Sequence, residues 1–211
     1  MILSKRLKAV ADLIEKGKVV FDVGSDHALL PAFLVLQDIC PKAYAGDNKP
    51  GPLARAEATI AKYGLKDRVI PVLADGLSRV EDDVDIITIS GMGYYTVEKI
   101  LNQSDLGRFD KVIVQVNRNV EQLRSYIAAH HYRILDEVLV YEDFYYEIIV
   151  FDCKEERALS EEEIIFGPCL LKKKDPLFKE YLKYQLNKLT ALDQPKYLKR
   201  IEQIKAVLGS F

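Results

Sequence analysis

The chain has 211 residues, of which 49% are hydrophobic and 29% charged, and 30 Lys and Arg against 32 Asp and Glu give a formal net charge of -2. This composition excludes a disordered or fibrous chain, and charged residues interrupt every apolar run before it is long enough to span a membrane. The three cysteines (Cys40, Cys153 and Cys169) lack C-x-x-C spacing and leave one thiol unpaired, so we expect reduced thiols in a cytoplasmic protein.

Short apolar runs alternate with amphipathic segments over the first 130 residues. Apolar residues at helical spacing predict helices over 3–15, 29–36, 53–63, 94–102 and 119–130. The intervening apolar runs predict strands over 19–24, 43–47, 69–75, 85–89 and 111–116. Such alternation is typical of an α/β fold in which a parallel sheet carries helices on both faces.

The pattern changes after the fifth strand. Two long extended stretches, Tyr132–Tyr141 and Phe144–Cys153, are joined by Glu142 and Asp143, which predicts an antiparallel hairpin. Five parallel strands followed by a terminal hairpin favour a class I, Rossmann-like methyltransferase sheet over the sheet of a dinucleotide-binding dehydrogenase.

The last quarter of the chain is predicted to be helical. A linker with acidic residues at 155–156 and 161–163 leads to two apolar stripes, over 178–192 and 197–208, separated by Asp193-Gln194-Pro195. These stripes predict an αα-hairpin that packs on itself or on the main domain. We therefore expect a methyltransferase domain over 1–157 and a helical domain over 158–211.

The charge of the chain is concentrated at its C-terminal end. Residues 172–211 contain 10 basic and 4 acidic residues, a net charge of +6. This excess points to a polyanionic partner, although a lysine-rich solvated helix would look the same.

Acidic residues stand where the parallel strands end, which is where open α/β sheets bind ligands. Gly24 allows a sharp turn after the first strand, and Asp22 precedes it. Asp47 is placed to accept the hydroxyls of a ribose and Asp75 to accept an adenine amine, while Asp22 orients an ammonium group. These groups together match S-adenosylmethionine, although each acid alone could equally cap the next helix.

A nicotinamide dinucleotide is the main rival ligand at these strand ends. Its G-x-G-x-x-G loop is absent, and Asp26 stands where the second glycine would let a pyrophosphate approach. A carboxylate there repels phosphate but tolerates a sulfonium cation, which favours S-adenosylmethionine.

Several motifs resemble one bacterial enzyme family. The run 22–31, D-V-G-S-D-H-A-L-L-P, is similar to the D-I-G-S-D-H-A-x-L-P signature of the TrmK family of tRNA (adenine-22-N1)-methyltransferases. Residues 51–53, 75–77 and 91–93 continue the resemblance, which extends through 166–168 to the helical tail. The chain departs from the family pattern at Tyr94, where G-M-G-G is usual, and at Val116, where Q-P-N is usual.

The resemblance implies a Rossmann-like domain that uses S-adenosylmethionine and a helical domain that helps to grip tRNA. Position 22 and the N1 atom of the adenine come from the resemblance alone. The residues expected to bind the methyl donor are Asp22, Gly24, Ser25, Asp26, His27, Asp47, Asn48, Asp75, Gly76, Gly91 and Met92. The residues expected to contact RNA are Arg6, Tyr94, Asn117, Lys172, Lys173, Lys174, Lys183, Lys199 and Arg200.

Asp26 is the predicted catalytic residue. Adenine N1 carries a free lone pair, so its attack on the methyl group needs chiefly alignment, and a nearby carboxylate would stabilise the positive product. The alternative is that Asp26 only caps the helix or orients the donor. The target base must be flipped out to be reached, and Tyr94 and Tyr95 are placed either to stack on it or to pack under their helix.

No histidine–carboxylate group has metal-ligand spacing, so no metal is expected, and we expect a monomer. Two other functions remain open on the residues alone. A methyltransferase acting on a small molecule or a protein would not need the basic tail. A non-catalytic RNA-binding protein with a degenerate donor site would bind tRNA without binding the donor.

Overall fold

A computed structural model describes residues 1–211, which contain a seven-stranded sheet. The strands are β1 (Val20–Val23), β2 (Ala43–Asp47), β3 (Val69–Leu73), β4 (Ile86–Met92), β5 (Lys111–Val116), β6 (Arg133–Tyr141) and β7 (Tyr145–Asp152). Every predicted strand is present, and β2 and β5 have the predicted bounds.

Nine α-helices accompany the sheet. They are α1 (Lys5–Asp12), α2 (Leu29–Leu36), α3 (Pro50–Lys62), α4 (Tyr94–Leu101), α5 (Val120–Ala129), α6 (Glu161–Phe166), α7 (Pro168–Lys173), α8 (Pro176–Leu192) and α9 (Leu198–Gly209). Short 3₁₀ turns over Asp26–Ala28, Leu106–Arg108 and Pro195–Tyr197 complete the set.

The strand order confirms the predicted α/β class. It is β3-β2-β1-β4-β5-β7-β6, with parallel pairing from β3 to β5 and antiparallel pairing of β7 with both β5 and β6. In this order β1 lies between β2 and β4, so the loops after these three strands meet at one edge of the sheet. The fold is therefore a Rossmann-like methyltransferase sheet.

Alternate residues of the central strands pack against helices on opposite faces. Phe21 of β1 and Ile87 of β4 belong to one buried cluster, whereas Val20 and Ile86 belong to the other. Because side chains alternate across a strand, a run with apolar residues on both faces must be covered on both. The buried Asp22 is the one charged residue in this apolar run of β1.

A third buried cluster joins the C-terminal helices to the sheet. Leu139 of β6 packs with Phe166, Leu170, Phe178 and Leu182. The two predicted stripes form α8 and α9, which pack on each other, and α8 also packs on β6. The helical hairpin is thus anchored to the predicted methyltransferase domain by a shared core.

The prediction of a linker through the acidic residues 161–163 was wrong, because they form the first turn of α6. Ser160 Oγ accepts a hydrogen bond from Glu163 N, and Glu163 accepts one from Ser160 N, which forms a capping box. Acidic side chains in a first turn also stabilise the positive end of the helix dipole. The S-x-x-E signal of this capping box is present in the sequence, inside the acidic run that was predicted to be a linker.

Candidate functional site

A cleft of about 240 Å³ opens at the carboxyl ends of β1 to β4. Because parallel strands end at a common edge, the side chains that follow different strands converge there. The residues predicted to bind the donor that line this cleft are Gly24, Asp47, Asn48, Asp75, Gly76 and Met92. Thr96, Lys99 and Gln103 from the α4 region also line it and were not predicted.

Asp22 is buried in β1 and does not line the cleft directly. Its Oδ1 accepts a hydrogen bond of 2.7 Å from Thr88 Oγ1 of β4. Burial raises the pKa of Asp22 to about 6, against the opposing effect of this bond. The buried Ser25 hydroxyl lies near the same carboxyl group, where it opposes the rise in the pKa of Asp22, and it does not line the cleft.

The loop after β1 has an unusual backbone. Gly24 has a φ of 72°, and a Cβ there would overlap Met92 Cε, so the side chain of Met92 packs directly over this glycine. His27 and Ala28 also have left-handed φ values of 65° and 48°. Non-glycine residues in this conformation are strained and cluster at functional sites. These positive φ values allow the chain to turn sharply from β1 into α2.

Two strand-end acids keep free oxygen atoms for a ligand. Asp47 Oδ1 accepts a hydrogen bond of 2.9 Å from Lys49 N, which fixes the carboxylate and leaves Oδ2 available. Asp75 is exposed, and the turn that follows it is held by Gln103 Oε1, which accepts a hydrogen bond of 2.8 Å from Leu77 N. Two carboxylates on neighbouring strands, with a glycine turn beside them, fit the hydroxyls and amine of an adenosine group.

Asp26 lies on the 3₁₀ turn after β1, outside the residues that line the cleft. Its Oδ1 accepts a hydrogen bond of 2.8 Å from Arg55 Nε of α3, and His27 Nε2 lies 3.7 Å from the same oxygen. The Arg55 hydrogen bond holds the pKa of Asp26 below its usual range. The carboxylate is therefore ionised and oriented by α3.

A side-chain network links the ends of β4 and β5. The buried Gln115 Oε1 accepts hydrogen bonds from Arg6 Nη1 at 2.9 Å and from Gly91 N at 3.0 Å. Asn117 Nδ2 donates to Gly91 O at 2.7 Å, and Asn117 N donates to Met92 O at 2.8 Å. Gln115 Nε2 also donates to Asn117 Oδ1 at 3.1 Å, so Gln115 links Arg6 and Asn117, both predicted to contact RNA. Gln115 belongs to the motif that resembles the family pattern, but it was not among the predicted site residues.

The two tyrosines after β4 point in different directions. Tyr94 is buried, and its hydroxyl donates a 2.6 Å hydrogen bond to Glu98. Burial and the nearby Glu98 carboxylate raise the pKa of Tyr94. Tyr95 is 64% exposed, so it is the one available to a base. Of the two alternatives predicted for these tyrosines, Tyr94 therefore packs under its helix and does not stack on the base.

A larger groove of about 1060 Å³ lies beside the cleft, between the tip of the β6–β7 hairpin and helices α8 and α9. It begins at Asn117 and Arg118 after β5 and continues past Phe144 to Tyr184 and Lys188. Seven of its fifteen lining residues are aromatic. This surface was not predicted, although Tyr141, Phe144, Tyr145 and Tyr146 all lie close to one turn in the sequence.

The basic residues predicted to contact RNA differ in their surroundings. The pairs formed inside the chain are Lys173 with Asp136, Lys174 with Ser210 O, Lys199 with Glu161, and Arg200 with both oxygens of Glu121. Lys172 and Lys183 are exposed and form no ion pair. Of the whole predicted RNA set, Asn117 and Arg200 line the groove.

The structure contains no helix long and apolar enough to cross a membrane. It also contains no cluster of three or more His, Cys, Asp or Glu side chains that could hold a metal ion.

Comparison with known proteins gives consistent matches. A family model described as tRNA (adenine(22)-N(1))-methyltransferase matches residues 20–209. The tRNA (adenine(22)-N(1))-methyltransferase of Bacillus subtilis is 34% identical over 185 residues, which are 83% of this chain and 78% of that protein.

Two solved structures share the whole architecture. Streptococcus pneumoniae Sp1610, solved in complex with S-adenosyl-L-methionine, is 33% identical with a TM-score of 0.92, covering 98% of this chain and 100% of that one. M. capricolum TrmK, solved in complex with S-adenosyl-homocysteine, is 32% identical with a TM-score of 0.86, covering 99% of both chains.

Proposed function

The chain belongs to the TrmK family of tRNA (adenine(22)-N(1))-methyltransferases, and we propose that its strand-end cleft and the adjoining groove together transfer a methyl group from S-adenosylmethionine to N1 of adenine 22 in tRNA. The chain is thus an S-adenosylmethionine-dependent tRNA methyltransferase. The alternatives of a small-molecule or protein methyltransferase, and of a non-catalytic RNA-binding protein, give way to this function.

The observation that carries the proposal is the direct connection between the two concave surfaces. Met92 lines the cleft and Asn117 lines the groove, and the two residues share a backbone hydrogen bond of 2.8 Å. A methyl donor in the cleft and a nucleotide in the groove would therefore meet at the ends of β4 and β5. Transfer between two substrates requires such an arrangement, because alignment supplies most of the rate.

The cleft residues fit S-adenosylmethionine group by group. Asp47 and Asn48 would hold the ribose hydroxyls and Asp75 the adenine amine. The turn at Gly24 would bring the backbone close to the amino-acid portion of S-adenosylmethionine. The ionised Asp22, buried in β1 behind the cleft, would attract the ammonium group of that portion. When bound, S-adenosylmethionine supplies the methyl group as an electrophilic sulfonium substituent.

Asp26 is proposed as the carboxylate that acts on the target adenine. Methylation of N1 leaves the base cationic until its amine loses a proton. The ionised Asp26, oriented by Arg55, stabilises this charge and accepts the proton. The attack itself needs no base because the N1 lone pair is already free, and the low pKa of Asp26 keeps its carboxylate ionised, so its main contribution is stabilisation of the positive charge.

The test is transfer of tritiated methyl groups to unmodified tRNA, followed by digestion to nucleosides and chromatography. We expect the label in 1-methyladenosine, and a tRNA whose adenine 22 is replaced by guanine should remain unlabelled. The matched control is a tRNA with a substituted adenine elsewhere, which should be labelled as fully as the unaltered one.

Label in another nucleoside would contradict the proposed target. An absence of label in any tRNA, with S-adenosylmethionine bound normally, would contradict the proposed substrate class.

A further inference from the structure

The groove between the hairpin tip and the C-terminal helices has the properties of a nucleotide-binding surface. Tyr141, Phe144 and Tyr184 are 49%, 67% and 49% exposed, although aromatic side chains of this size are normally covered. Their grouping on one concave surface, rather than their separate exposure, indicates a binding site.

The aromatic rings form a continuous platform. The ring centroid of Tyr145 lies 4.8 Å from that of Tyr141, 5.4 Å from that of Tyr184 and 5.0 Å from that of Tyr181. Tyr145 and Tyr181 are held from within, because the Tyr181 hydroxyl donates to Glu147 at 2.8 Å. Tyr141 and Tyr184 therefore rest on a fixed inner layer, so little side-chain entropy is lost when a flat ligand stacks on them, and Phe144 extends the exposed aromatic surface at the hairpin tip.

The charge of the groove selects a polyanion over an apolar protein segment. Four cations line it against a single carboxylate, Asp143. Arg200 is neutralised by Glu121, but Arg118, Lys188 and Lys196 form no ion pair. Unpaired cations around exposed aromatic rings are the combination that binds single-stranded nucleic acid, in which bases stack and phosphates are neutralised.

We propose that this groove binds unpaired nucleotides of the tRNA that adjoin the target adenine, with their bases stacked on Phe144 and Tyr184 and their phosphates near Lys188 and Lys196. The inference rests on the proposed function and deepens it. Because the groove begins at Asn117, beside Met92, nucleotides held there would draw the neighbouring adenine out of its stack toward the donor cleft. The binding energy of the flanking nucleotides thus offsets the cost of flipping the target.

The first test replaces aromatic faces by apolar side chains. Phe144→Leu and Tyr184→Leu keep the groove apolar and remove stacking, and we expect each to raise the Kd for tRNA by about tenfold. Affinity for S-adenosylmethionine, measured by calorimetry, should stay unchanged. Tyr63→Leu is the matched control, since Tyr63 follows α3 and lines neither the cleft nor the groove.

A second test does not depend on activity. The chain contains no tryptophan, so Phe144→Trp introduces a single tryptophan at the hairpin tip, which can be excited apart from the tyrosines. Its fluorescence should be quenched by tRNA and also by a short single-stranded oligoribonucleotide. The Tyr63→Trp variant should show no quenching with either ligand.

The proposal is overturned if the leucine variants bind and methylate tRNA like the wild type, or if Phe144→Trp fluorescence is unaffected by tRNA. In those cases, with wild-type methylation intact, the proposed function stands and the groove does not bind the flanking nucleotides. Failure of the wild type to methylate tRNA would instead contradict the proposed function itself, which separates the two results.

Discussion

At the scale of single residues, the proposed donor site depends on the Asp22 carboxylate, whose burial lowers the stability of the folded chain. Asp22 occupies a buried position of β1 where an apolar residue would pack without penalty, and its hydrogen-bond donor is Thr88 of the neighbouring strand. Burying a charge disfavours it unless it is paired. The fold thus keeps an attractive site for a cation beneath the cleft.

The titration of Asp22 predicts how stability and donor binding depend on pH. Burial raises its pKa from 3.8 to about 6, so the folded chain holds a proton between these values that the unfolded chain releases. The contribution of this group to the free energy of unfolding therefore falls as pH rises from about 4 to about 6. Donor affinity should rise over the upper part of this range, because the ionised form attracts the ammonium group.

The variant Asp22→Asn separates these two effects. Its amide oxygen still accepts from Thr88, but the buried charge is gone, so we expect the free energy of unfolding at pH 7.5 to rise by about 1–3 kcal/mol. Affinity for S-adenosylmethionine should fall and lose its dependence on pH. Urea denaturation and calorimetry at pH 5 and pH 7.5 measure both, and a wild-type donor affinity that is equal at the two pH values would contradict this role.

Asp26 is predicted to act in the chemical step rather than in donor binding. Asp26→Asn should lower kcat by about 10²–10⁴-fold, since the amide neither balances charge nor accepts a proton, with donor Kd nearly unchanged. Arg55→Gln is the comparison variant, because it removes the partner of Asp26 but keeps the carboxylate, and it should retain most turnover. Single-turnover kinetics would decide, and full activity in Asp26→Asn would leave Asp26 a structural role only.

At the scale of secondary-structure elements, a buried polar network fastens α5 and the β6–β7 hairpin to the C-terminal helices. Arg124 is fully buried and donates to Glu137 at 2.6 Å and to Glu147 at 2.5 Å. Its Nη1 also reaches the carbonyl groups of Ile164 and Ile165 in α6. Burial opposes the charge of Arg124, but the two carboxylates outweigh it and raise its pKa.

Removal of Arg124 alone should be strongly destabilising. Arg124→Met leaves the buried Glu137 without its cation, and we expect a loss of about 3–5 kcal/mol in the free energy of unfolding. The double variant Arg124→Met/Glu137→Gln should recover part of this loss, because the uncompensated charge is also removed. Urea denaturation gives both values, and a single variant within about 1 kcal/mol of the wild type would refute the importance of the network.

Sequence patterns predicted most elements because their signals are local. β2 and β5 were predicted to the residue, since each is a short apolar run between polar turns. Helix α6 was missed because its capping box lies inside an acidic run that was interpreted as a linker. The Arg124 network was invisible to such reasoning, because its members lie 13 and 23 residues apart and meet only after the hairpin pairs.

At the scale of the whole molecule, a chain with a net charge of -2 presents a basic surface where RNA is expected. The donor cleft and the aromatic groove share one edge of the sheet, and unpaired cations surround the groove. The electrostatic part of tRNA binding should therefore come from a few groove cations rather than from the full set of C-terminal lysines.

The salt dependence of tRNA binding tests whether the groove cations supply most of the electrostatic attraction to tRNA. Lys188→Gln and Lys196→Gln should each lower the slope of log affinity against log salt by about 1, as expected when one phosphate contact is lost. Lys199→Gln should have a smaller effect because Lys199 pairs with Glu161, and the exposed Lys66→Gln provides a control outside the groove. Equal slopes for all four variants would indicate that the groove cations do not touch phosphate.

The sequence by itself determined the fold class, the donor and the family. Strand-end acids, glycine turns and the D-V-G-S-D-H motif are local patterns, and the parallel arrangement of strands brings their ends together in any chain of this class. Only the tertiary structure decided which of the residues predicted to contact RNA are exposed and unpaired. It buried Tyr94, paired Lys173, Lys199 and Arg200 with carboxylates, and assembled the groove from the hairpin tip and two distant helices. Burial and ion pairing depend on contacts between residues far apart in the chain, which no local pattern encodes.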